Sequence, residues 1–215
     1  MTMKTDDLID SLTADLPAAP PRSIEMRAVQ WLTLGAGLAV LIFGLFLGFR
    51  PALAAALGDP VVAAKTVLPL ALAIPALISC LRLAHPGADP SRARYAMWLP
   101  PVIAATLGIG AYLVTRPALR WDLFIGSSID ICGRAIVALA LPMLVGLLIA
   151  LRRGAPMHPT RCGALAGLAA GAFAAALYSL FCTEDSPMFY AVWYSLAIGS
   201  VGAIGALLGR KQLRW

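Results

Sequence analysis

Residues 28–49 read AVQWLTLGAGLAVLIFGLFLGF, a mainly apolar run long enough to cross a lipid bilayer as one helix. Lipid offers no partner to an exposed backbone N–H or C=O, so such a segment spans only as a helix, and about 20 residues suffice for a hydrocarbon core of about 30 Å. Five further runs of this kind follow, near 61–83, 97–115, 133–151, 163–182 and 188–209. The composition agrees, since 60% of the 215 residues are hydrophobic and only 13% are charged, against about 25% charged in a soluble domain. The expected fold is therefore all-α, an integral membrane bundle of six transmembrane helices. Residues 1–27 form a cytoplasmic tail and 210–215 a short C-terminal tail around the 28–209 membrane domain. Lys65, Arg82 and Arg134 lie inside or beside the runs, where long basic side chains reach the interface by snorkelling.

Orientation follows from the basic residues, because short cytoplasmic loops retain Lys and Arg. With the N-terminus inside, Lys4, Arg22, Arg27, Arg82, Arg92, Arg94, Arg152, Arg153, Arg161, Arg210, Lys211 and Arg214 fall on the cytoplasmic side. Arg50, Lys65, Arg116, Arg120 and Arg134 fall outside, a split of 12 to 5 that places both termini in the cytoplasm. The formal charge of +6 then faces anionic lipid headgroups, and direct nucleic-acid binding is not expected. The first run follows an acidic, proline-rich tail of 27 residues, so it reads as an anchor that stays and not as a removable signal peptide.

Gly163, Gly167 and Gly171 in the fifth run, Gly205 and Gly209 in the sixth, and Gly44 and Gly48 in the first recur at four-residue spacing and predict close helix approach. Pro69, Pro75 and Pro142 predict kinks. Every Asp and Glu lies outside the apolar centres, which argues against an ion-coupled transporter. No nucleotide loop, metalloprotease motif or serine-hydrolase elbow occurs, and no acid, base and nucleophile cluster can be assembled, so no catalysis and no resident cofactor are expected. His85 and His158, each beside a proline, read as solvated loop residues without a second ligand.

The tail opens with a separate signal. Spaced on a 3.6-residue helix, Leu8, Ile9, Leu12 and Leu16 fall within about 100° of one another, with Asp7 and Asp10 on the far side and Asp6 at the flank. Thr5 suits an N-cap, and Pro17, Pro20 and Pro21 end the helix. A helix this short is marginal alone, so its stripe needs a partner. Its aspartates oppose an anionic membrane surface. A basic or groove-bearing cytoplasmic protein fits by helix-in-groove docking. The plainer alternative is a helix folded back onto the chain's own basic loops.

The segment TDDLIDSLTADLP (5–17), the tether ending in RAVQW (27–31), the six runs, ICGR (131–134) and CTEDSPMFYAVWY (182–194) occur in an order and spacing that resemble the NrsF-type membrane proteins over essentially the full length. The resemblance implies an inner-membrane anti-sigma factor. Such a protein sequesters an extracytoplasmic-function sigma factor through its cytoplasmic N-terminus and releases it on an outside stress. It also implies that a cysteine pair senses the signal, a role carried here to Cys132 and Cys182, which the topology puts at the outer face. Arg134 would favour a thiolate, and Glu184 with Asp185 would add oxygen ligands if a heavy-metal ion bound transiently. The alternative is that both cysteines are small apolar residues near helix ends, the reading given to Cys80 and Cys162. A small transporter or channel, with the N-terminal helix as an assembly element, is the alternative function.

Overall fold

The computed structural model describes residues 5–14, 23–87 and 93–214, and within them every regular element is helical. In chain order the helices are α1 (Thr5–Thr13), α2 (Ser23–Phe46), α3 (Leu53–Leu57), α4 (Pro60–Leu83) and α5 (Ala93–Ala96). They continue with α6 (Leu99–Val114), α7 (Pro117–Ile125), α8 (Ile129–Leu151), α9 (Pro159–Ser179) and α10 (Pro187–Gln212). Helices α2, α4, α8, α9 and α10 lie in five stretches long and apolar enough to cross a membrane. The third run is shorter than expected. At 16 residues α6 reaches about 24 Å, less than the hydrocarbon thickness, because Pro100 and Pro101 open it and Thr115 is already extended before Pro117.

Other boundaries also move. Helix α2 begins at Ser23 and not at residue 28, because Glu25 in its first turn complements the helix dipole and extends the helix into the expected tether. Helix α10 continues through Arg210 and Lys211, which suit its negative end, and Leu213 beyond it is buried. The connections contain three short helices that hydropathy did not reveal, α3, α5 and α7. Thr5 lies inside α1 as its first residue and does not precede it as a cap. Leu16 and the prolines at 17, 20 and 21 lie outside the described residues. Asp59 caps α4, accepting from the Val61 N–H at 2.8 Å, with Pro60 at the position where a missing donor costs nothing.

The core is a bundle around α9, which packs on α10, α4 and α8, while α2 packs chiefly on α8 and α6 on α10 and α4. Glycine sets the distances. A β-carbon at Gly163 or Gly167 would run into the backbone carbonyl of Gly205 or Val201, and one at Gly209 would lie 2.7 Å from Pro159's carbonyl oxygen. The expected α9 and α10 glycine faces therefore meet each other. Gly44 does not take part: a β-carbon there meets nothing within 4 Å, and Gly48, with φ at +77°, ends α2 by donating to the Phe43 carbonyl at 2.9 Å. The α2–α8 contact instead uses Gly35 against Pro142's carbonyl and Gly146 against Trp31's, at 2.7 and 2.6 Å from a built β-carbon.

Gly167→Val is expected to force α9 from α10 and lower stability by roughly 1–3 kcal/mol or more, whereas Gly44→Ala, with open space around it, is expected to be neutral. Unfolding of the purified protein in a graded detergent series measures both.

Candidate functional site

One end of the bundle is organised by the loop between α9 and α10. Arg50, just past α2, donates its backbone N–H to the Leu180 carbonyl at 3.0 Å. Its guanidinium grips Asp185 with both forks, Nη1 to Oδ1 at 2.6 Å and Nη2 to Oδ2 at 2.9 Å, and Nη1 also reaches the Cys182 carbonyl at 3.1 Å. Lys65 reaches the same groups from α4: its Nζ donates to the Cys182 carbonyl at 2.7 Å, the Glu184 carbonyl at 3.3 Å and Asp185 Oδ1 at 2.6 Å. Only 2% of Lys65 is exposed. It does not snorkel to an interface as expected from sequence, because a carboxylate and two carbonyls converge on it inside the bundle.

The electrostatics follow from this geometry. Burial pushes the Asp185 carboxyl up, but the hydrogen bonds and charges of Arg50 and Lys65 outweigh that and hold it below the usual carboxylate range. The Asp185 hydrogen bond raises Arg50 further above its ordinary value. A carboxylate with a depressed folded-state pKa contributes stability that is complete above its unfolded value of about 3.9 and lost as pH falls below it.

Beside this clamp lie the two cysteines assigned as sensors. Cys132, in the first turn of α8, and Cys182, just beyond α9, are buried to 0% and 1% exposure and carry free thiols. Tyr178 belongs to the same buried cluster, and the ring of Tyr194 packs on it with centroids 5.9 Å apart. Both tyrosine hydroxyls are buried without a hydrogen-bond partner, so the thiols sit in a pocket of weak, unsatisfied polar groups. Arg134 does not face Cys132. Two positions apart on a helix are on different sides, and Arg134 is exposed with its Nε on the Asp130 carbonyl at 2.6 Å.

The carboxylates proposed as added metal ligands are engaged elsewhere. Glu184 accepts from the Ser127 N–H and hydroxyl, each at 2.7 Å, docking the α7–α8 turn where Gly126 leaves room for it, while Asp185 is held by the two cations. Among the described residues no group of three or more His, Cys, Asp or Glu is placed to hold a metal ion.

The opposite end carries Cys80 and Cys162, whose sulfurs lie 4.0 Å apart, and the Ala155 N–H on the Ala84 carbonyl at 3.0 Å. His85 is not simply solvated: its Nε2 meets Glu25 Oε1 at 2.8 Å, whereas His158 is exposed as expected. Helix α1 stands apart from these contacts. Leu8, Ile9 and Leu12 are 43%, 52% and 65% exposed, Asp7 and Asp10 are exposed, and no residue of the helix is buried. The apolar stripe is thus not covered by the chain's described loops.

Sequence reasoning missed the clamp because its parts are more than a hundred residues apart. The signal available was Lys65 itself, a charge inside an apolar run that requires a buried partner.

Residues 12–215 match a family model described as NrsF, Negative regulator of sigma F. The chain is 34% identical over 213 residues to the Probable anti-sigma-F factor NrsF of Azospira oryzae, covering 99% of this chain and 100% of that protein. It is 36% identical over 222 residues to the Anti-sigma-F factor NrsF of Caulobacter vibrioides, again covering 99% and 100%. No solved structure matches.

Asp185→Asn leaves the Lys65 ammonium buried without its counter-charge. With Asp185 itself 35% exposed, the expected loss of stability is at the low end for such pairs, ~3 kcal/mol. Adding Lys65→Met is expected to recover part of it. In the parent protein, stability should fall as pH drops below the carboxylate range, and this acid-side loss should shrink in Asp185→Asn; unfolding followed against pH tests both.

Proposed function

This chain belongs to the NrsF family of negative regulators of sigma F, and we propose that it is a multi-pass anti-sigma factor of the bacterial inner membrane that holds an extracytoplasmic-function sigma factor through α1. Its role is regulatory binding, without catalysis. The observation that carries this reading is the uncovered stripe of Leu8, Ile9 and Leu12, on a helix too short to be stable alone. Leu16 continues the stripe in sequence, and Asp7 and Asp10 supply negative charge toward a basic, groove-bearing partner.

Both termini are cytoplasmic in this reading, which requires six crossings, α6 included. Gly108, past the middle of α6, lies against Pro187 at the start of α10, a contact that suits antiparallel neighbours in a sixth crossing. The short α6 is matched by local thinning of the bilayer, at fractions of a kcal/mol per Å. The positive-inside count sets the clamp end outward and the Cys80–Cys162 end inward.

Release begins at the outer end. Cys132 and Cys182 accept a soft heavy-metal ion as a two-thiolate site, or are oxidised. Because the Cys182 carbonyl is held by Lys65 and Arg50, a rearrangement at its sulfur disturbs the clamp and with it the packing of α2, α4 and α9.

Replacing Leu8 and Leu12 by Asp removes a contribution of roughly 3–6 kcal/mol gross before the costs of association. Retention of the sigma factor by purified membranes is expected to collapse and target genes to turn on. If the double variant still retains it, the binding surface lies in the cytoplasmic loops. Cys132→Ser and Cys182→Ser are each expected to keep sigma binding and to lose the response to cadmium or a membrane-impermeant oxidant applied outside, with the double variant matching either single. Target-gene output measures this, and a full response in both single variants removes the pair from the mechanism.

A further inference from the structure

We propose that Cys80 and Cys162 form an oxidisable dithiol whose closure moves the base of the N-terminal tether. Lying 82 positions apart in sequence, they are brought together where the last turns of α4 meet the first turn of α9. Both are 0% exposed, their sulfurs are 4.0 Å apart, and each thiol points at the other residue's carbonyl, Cys80 Sγ to Cys162 O at 3.4 Å and Cys162 Sγ to Cys80 O at 3.7 Å. The reciprocal arrangement places each sulfur next to the other chain segment, so side-chain rotation and a small helix shift bring them to the ~2.05 Å of a disulfide.

The pair is neutral both before and after oxidation. A hydroperoxide supplies the oxidising power: one cysteine, as thiolate, attacks a peroxide oxygen, the O–O bond breaks, an alcohol or water leaves, and a sulfenic acid remains. The second thiol attacks that sulfur, expelling water and forming the disulfide. Two electrons and two protons leave the pair, and a neutral dithiol becomes a neutral disulfide with no charge left buried. A reducing cytoplasm reverses the step through thiol exchange, so the bond would be transient there. The pair's geometry is independent of the function proposed above; its cytoplasmic compartment rests on that topology.

The fold decides which helix yields. The start of α9 is locked, since Gly163 sits against Gly205 and Gly209 of α10 with no space between backbones. Closing the dithiol therefore draws the end of α4 toward α9. That end carries Ala84, whose carbonyl receives the Ala155 N–H, and His85, whose Nε2 meets Glu25 in the first turn of α2. Glu25 lies within three residues of the segment that joins α2 to α1.

The test uses the full chain in detergent, as the parent and as a Cys132→Ser, Cys182→Ser variant in which only the inner pair remains. After hydrogen peroxide, denaturation and alkylation, both inner cysteines are expected to lose labelling, to appear as a single Cys80–Cys162 linked peptide by mass spectrometry, and to regain labelling after dithiothreitol. Hydrogen exchange over residues 23–30 is expected to differ between the oxidised and reduced forms, and not between peroxide-treated and untreated Cys80→Ser, Cys162→Ser protein. Two alkylatable thiols after peroxide, or only intermolecular dimers, in both proteins would overturn the dithiol. A linked pair with unchanged exchange over 23–30 would overturn its coupling to the tether.

Discussion

The bundle depends on the burial of α9. In lipid, helices gain little from hiding apolar side chains from one another, so association rests on close van der Waals contact. Helix α9 meets that constraint with glycine and alanine on nearly every face. Its glycines bring α10 to backbone contact on one side, while α4 and α8 close on the others. A helix so enclosed has no freedom to shift, and both of its ends become fixed points. One end presents Cys162 to Cys80, and the other leads into the loop that Arg50 and Lys65 hold through Asp185 and the Cys182 carbonyl.

Each end of the bundle holds two buried cysteines, Cys132 and Cys182 at one and Cys80 and Cys162 at the other. At the clamp end, Cys182 cannot rearrange without disturbing two cations that tie α2 and α4 to the loop. At the opposite end, the Cys80–Cys162 contact lies one step from the start of α2 through His85 and Glu25. Helix α2 connects both regions to the N-terminal segment, since it begins at Ser23 and its C-terminal end at Phe46 leads directly to Arg50. The proposed route from a buried thiol to the exposed α1 therefore runs through α2 and does not require that α1 touch the bundle.

Much of this architecture is legible in the sequence, and the failures share one cause. Hydropathy located five long helices because it is a property of a single segment. Glycine spacing was informative for α9 and α10, where each repeat meets the other, yet misleading at Gly44, which faces open space, and silent at Gly35 and Gly146, which have no repeat to announce them. Lys65 was misjudged for the same reason: the carboxylate that holds it lies in a distant loop. Length alone marks α6 as different, because prolines at its start and an extended Thr115 trim a run whose composition is uniformly apolar.

The central claim is that the exposed stripe of α1, and not the loops of the bundle, captures the sigma factor. A photo-cross-linking amino acid placed at Ile9 of the full chain in native membranes tests it most directly, with the same group at Met157, an exposed residue in the α8–α9 loop, as the comparison. The account predicts a sigma-factor adduct from Ile9 and none from Met157. An adduct from Met157 with none from Ile9 would contradict it.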